Sequence, residues 1–182
     1  MISVALLLLL AQAGAQATES AVGPPSSSRP AVTIHETGAP DARVFYLSIP
    51  WGPETFAAME RPGEGFYNRR SWPFARLETE KPLRFQGTEL SAGNYALVFH
   101  PNTPSDEGMS LEVRRIAAGE FLQEGNVMTR TPEGETVWRG PVAFETADTT
   151  VPALEIGVVP AATGFSLDVR YGNRRTRAQF DE

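Results

Sequence analysis

The sequence predicts an all-β protein: a single antiparallel β-sandwich domain with at most one or two short helices. Three observations lead there. From Ala31 onward, short apolar runs alternate with Gly, Pro, Asn and Asp about every ten residues, the spacing of a sandwich or barrel. Glycine (16) and proline (15) are frequent and scattered, as in a chain with many turns. Near the C-terminus, two alternating segments flank Gly172-Asn173 in the manner of a hairpin.

The segment Met1 to Ala17 carries no charged side chain, has an apolar run from Val4 to Ala11, and ends Ala15-Gln16-Ala17. That is the pattern of a signal peptide (residues 1–17) cut after a small residue, although no lysine or arginine precedes the run. The run is too short to cross a bilayer, which needs roughly 20 residues. The chain has no cysteine to carry a lipid. The expectation is an extracytoplasmic protein, periplasmic or secreted, with no stable membrane anchor after cleavage. Residues 18–30, rich in Ser, Pro, Ala and Gly, read as a flexible tether. Residues 31–182 then form the β-sandwich domain, long enough for one core and scant for two at about 100–150 residues each.

The elements differ in character. Val44 to Ile49 and Tyr95 to Phe99 are apolar at nearly every position, as in strands covered on both faces or at a sheet centre. Tyr95, Leu97 and Phe99 are therefore expected in the core. Leu111 and Val113 alternate with Glu112 and Arg114, which suits a strand with one wet face. Leu154, Ile156 and Val158 alternate with Glu155 and Gly157 in the same way, and Val142 and Phe144 with Glu145. Two segments read as helices. Pro53 to Glu60 has a proline and an acid where a helix start wants them. Ala117 to Glu124 is the other, weakened by Gly119.

The C-terminal segment selects its own register. With Gly172-Asn173 as a tight turn, Phe165 faces Phe180, Leu167 faces Ala178 and Val169 faces Thr176 on one side, while Asp168 faces Arg177 on the other. A slip of one residue would set apolar side chains opposite charged ones. The same register opposes Arg170 and Arg175, a pair that needs solvent screening or an anion between them.

Gly87-Thr88-Glu89-Leu90-Ser91-Ala92-Gly93-Asn94-Tyr95-Ala96-Leu97, followed by Pro101, resembles the hallmark of a bacterial family called domain of unknown function 2911. Ser28 to Thr33 resembles the family's opening, and Val44-Phe45-Tyr46 and Phe165 to Tyr171 fit its order, so the resemblance spans Ser28 to Phe180. It implies fold and export rather than an activity. Where family members carry Trp-Arg followed by Gly-Ala-Asn-Glu, this chain reads Phe66 to Phe74 without that tetrad, so no family site carries over.

Chemistry is thinly signalled. A net charge of −6 does not favour nucleic acid, which needs a concentrated basic face. The absence of cysteine removes disulfides, thiolate metal sites and a cysteine nucleophile. The two histidines, His35 and His100, lack any metal-ligand spacing, and a catalytic metal wants about three protein ligands. They read as one exposed strand histidine and one at a strand end, and no metal or cofactor is expected. No Gly-x-Ser-x-Gly elbow is present. With 22 acidic residues, some carboxylate pair is always available, so pairing carries little information.

The stretch Phe66 to Phe74 sets Phe66, Tyr67, Trp72 and Phe74 around Arg69 and Arg70, with Trp51-Gly52-Pro53 upstream. Arg69, Arg70 and Trp72 are the candidate ligand-binding residues, since aromatics beside arginines hold sugars, anions or protein partners. The competing reading has these aromatics closing one end of the core. No catalytic residue is picked out. The expected function is a non-catalytic binding or interaction module for an unidentified ligand or an envelope protein. The alternative is an extracytoplasmic hydrolase using a carboxylate or histidine site that the sequence does not single out.

Overall fold

The computed structural model describes residues 34–60, 71–101, 108–118 and 132–182. The chain's contacts separate Met1–Pro30 from Ala31–Glu182, and the fold below belongs to the second unit. In chain order its elements are β1 (Ile34–Ala39), β2 (Ala42–Leu47), α1 (Pro53–Glu60), β3 (Trp72–Thr79), β4 (Leu83–Phe85), β5 (Thr88–Leu90), β6 (Gly93–Pro101), β7 (Met109–Ile116), β8 (Glu135–Val142), β9 (Glu145–Thr146), β10 (Glu155–Ala161), β11 (Gly164–Tyr171) and β12 (Arg174–Asp181). One antiparallel sheet runs β1-β2-β3-β6-β7-β8. The other runs β10-β11-β12-β4-β5, with β9 also beside β12.

The sandwich forms because both sheets bury an alternating apolar face. Val44, Leu77, Leu97 and Val113 of the first sheet share one core with Phe85, Leu167, Val169 and Phe180 of the second. Tyr95, Leu97 and Phe99 are each 1% exposed, as their run predicts. That strand, β6, lies between β3 and β7 and is covered on both faces. Ala96 and Val98, pointing away from the main core, join Ile116 in a second buried cluster.

Helix α1 covers Pro53–Glu60, the span its proline and acid predict. Its Phe56 is buried against Trp51, Phe144 and Tyr171. The Tyr171 hydroxyl donates to Pro50 O at 2.8 Å and accepts from Gly52 N at 3.2 Å, tying the helix start to β11. Beyond Ala118, the second helix candidate lies outside the described residues.

The C-terminal hairpin has the register the residues select. Phe165 pairs with Phe180, Leu167 with Ala178, Val169 with Thr176 and Asp168 with Arg177. Arg170 does oppose Arg175, and each side chain finds its own partner away from the other. Arg175 reaches diagonally to Asp168 with two hydrogen bonds of 2.6 and 2.9 Å. Arg170 turns to Thr149 at 2.7 Å and towards Glu155. At the turn only Gly172 takes a positive φ, 63°, the pattern of a type II′ turn. A Cβ there would lie 2.1 Å from the Trp51 ring. Gly172→Ala should therefore cost about 1–3 kcal/mol in urea unfolding. An unchanged midpoint would mean that Trp51 does not lie on the turn.

Residues 87–97 fold as a turn, a short strand, a second turn and a buried strand. Gln86 and Gly87 both take positive φ, 49° and 80°, the conformation of a type I′ hairpin joining β4 to β5.

Candidate functional site

Of the residues expected to bind ligand, Arg69 and Arg70 lie outside the described residues. Trp72 opens β3 opposite Phe99, half-buried, with its ring 5.8 Å from Phe99, 6.1 Å from Phe74 and 5.1 Å from Tyr171. These contacts make it part of the aromatic cluster at that end of the core.

The two histidines do not meet. His35 is exposed on the edge strand β1, stacked on Tyr46 at 5.2 Å between ring centroids. His100 sits on β6, three strands away and offset along the strand from the position in register with His35. Among the described residues, no group of three or more His, Asp or Glu side chains is placed to hold a metal ion.

His100 is nonetheless the centre of a polar cluster on the outer face of the first sheet. The residue before β3, Ser71, places its Oγ 2.8 Å from His100 Nδ1. On the other side of the ring, Nε2 touches Glu112 Oε2 as an ion-pair contact without aligned hydrogen-bond geometry. Glu112 comes from the middle of β7, one strand over, diagonal to His100. Its other oxygen, Oε1, accepts from Thr136 Oγ1 at 2.6 Å and from Arg114 Nε at 2.8 Å. Arg114 also donates to Gly134 O at 3.0 Å.

Glu112 corrects the expectation of a wet face for β7, because its side chain is only 1% exposed. The alternation Leu111-Glu112-Val113 is real, but the second face is covered too. Burial by itself raises the Glu112 pKa. The Thr136 hydroxyl, Arg114 and His100 outweigh it and hold the carboxyl below its ordinary value. His100 is pushed down, first by burial and then by the positive charge of Arg139, with Glu112 opposing. Its ring is thus neutral at neutral pH. With the single ring proton on Nε2, the nitrogen that faces the Glu112 carboxylate, Nδ1 is left to accept the Ser71 hydroxyl.

The second feature is a cavity of about 430 Å³ lined by Pro141, Val142, Ala143, Glu145, Arg175, Thr176 and Arg177. It opens where the chain running from β8 into β9 peels away from β12. Along that edge β12 pairs with β9 at Arg174 and Arg175 and with β4 at Phe180 and Asp181. Between them, from Thr176 to Gln179, no strand among the described residues pairs with this edge. Trp138 of β8 packs its ring perpendicular to that of Phe85 on β4, with centroids 4.7 Å apart.

Neither feature was legible in advance. Ser71, Glu112, Thr136 and Arg139 are scattered over the sequence, and only strand pairing brings them to His100. The break in pairing along β12 depends on where two other strands end. No family model matches the chain, and neither a curated protein nor a solved structure matches it.

Proposed function

We propose that this chain is an exported binding module that takes an extended acidic peptide segment of a partner protein along the open edge of β12. One observation carries the reading: a backbone edge of four residues, Thr176 to Gln179, has no strand partner among the described residues and begins beside a cavity of about 430 Å³. Unpaired N–H and C=O groups on a strand edge are a ready template for an added strand. The volume lies within the roughly 300–1,000 Å³ common for ligand sites. Arg175 is occupied by Asp168 and lies near Glu145, which leaves Arg177, exposed on the slot wall, as the cation to meet an acidic side chain.

Export is part of the proposal. It is supported by the apolar run that leads to Ala15-Gln16-Ala17. The test uses short synthetic acidic peptides of strand-forming sequence, titrated into the protein by calorimetry. Arg177→Glu should weaken binding at least tenfold, and bound peptide should slow amide exchange at Arg177 and Gln179, whose N–H groups face the open edge, while that of Ala178 faces β11. Equal affinity for acidic and basic peptides, or protection only elsewhere, would overturn the reading.

A further inference from the structure

A second, independent site lies on the first sheet. The geometry points to Ser71 as a nucleophile towards carboxylic esters, with His100 Nδ1 as its base and Glu112 as the residue that positions the ring. The Ser71 Oγ to Nδ1 distance of 2.8 Å is within the range of a nucleophile bonded to its base, about 2.6–3.2 Å. A third group holds the base from its far side, as activated-serine sites require. Such sites are recognised by geometry and role rather than by order in the chain. Here the carboxylate faces Nε2 and the hydroxyl faces Nδ1, so the neutral ring has one nitrogen for each duty. Burial is graded to suit. Glu112 is enclosed, the His100 side chain is 12% exposed, and Ser71, just before β3, is half-buried.

The reaction balances with water alone. Ser71 Oγ forms a bond to the ester carbonyl carbon as its proton moves to Nδ1. The bond to the alcohol oxygen then breaks, and the alcohol leaves with that proton. Water repeats the two moves on the acyl-serine, releasing the acid and restoring the hydroxyl. Glu112 gains and loses nothing. It keeps the ring turned and favours the imidazolium that forms in passing.

The test treats the full chain with a fluorophosphonate, whose phosphorus bonds to a reactive serine as fluoride leaves, and maps the adduct by mass spectrometry. The expected result is an adduct on Ser71, formed at least tenfold more slowly in His100→Gln. The rate should rise with pH through a midpoint below 6.5, because burial, Arg139 and Arg114 disfavour the protonated ring more than Glu112 favours it. Glu112→Gln should move that midpoint lower still, a shift that a merely structural carboxylate would not produce. An unlabelled Ser71 in the wild-type protein overturns the inference whatever the variants do. So does a labelling rate that His100→Gln leaves unchanged. The peptide slot on β12 can fail or succeed without affecting either outcome.

Discussion

Glu112→Ala should destabilise the protein by about 3 kcal/mol, the lower end of the cost of breaking a buried ion pair. The substitution takes an acceptor from Thr136, the ion-pair partner from Arg114 and the carboxylate that faces the His100 ring. Arg114 limits the loss, because it keeps Gly134 O and remains 23% exposed. Chemical denaturation at pH 7 measures the effect, and a loss under about 1 kcal/mol would mean that water already shares the cluster.

The same variant carries a pH signature. Both His100 and Glu112 have folded pKa values below their ordinary values of 6.5 and 4.5. For each, the unfolded chain binds a proton that the fold resists, so the stabilisation is complete above the ordinary value and is lost as pH falls through the depressed one. Wild-type stability should therefore begin to fall below pH 6.5 through His100 and fall further below 4.5 through Glu112. In Glu112→Ala the second loss disappears. The first extends to lower pH, because His100 has lost the negative charge that supported its protonation.

What the sequence made legible follows from the range of the interactions involved. The β11–β12 register was readable because a tight turn and alternating side chains settle it locally, with Phe165 on Phe180 and Leu167 on Ala178. Helix α1 was readable because Pro53 and Glu54 mark its start. The fate of Arg170 and Arg175 was not, since it depends on Thr149, Asp168 and Glu155, off the directly facing pair. Glu112 shows the same limit more sharply. An alternating strand says which residues share a face but not whether that face is covered. Its burial rests on the assembled sheet, as does the meeting of Ser71, His100 and Glu112 from three separate segments. The aromatic signal at Trp72 and Phe74 was visible, and the described contacts place both rings at the end of the core.

That aromatic end sets the largest expected single loss. Phe99→Ala should cost about 3–5 kcal/mol, the range for deleting a buried aromatic ring. Phe99 is 1% exposed, lies stacked on Phe74 with ring centroids 4.1 Å apart and planes 8° apart, and meets Phe144 nearly edge-on at 5.1 Å. Trp72 closes the third side at 5.8 Å. Neighbours on three sides, Trp72 and Phe74 held by β3 and Phe144 by the link between β8 and β9, have little freedom to collapse into the space, so the cavity penalty adds to the lost burial. Phe99→Leu retains most of the volume and should cost well under half as much. Val159→Ala, at a site 44% exposed, should stay within about 0.5 kcal/mol. Because Phe99 precedes His100 on β6, the alanine variant should also loosen the strand that holds the imidazole against Ser71. Denaturation midpoints for the three variants decide the matter. A Phe99→Ala loss no larger than that of Val159→Ala would show that this end of the sandwich is not packed as described, and the position of His100 would lose its support.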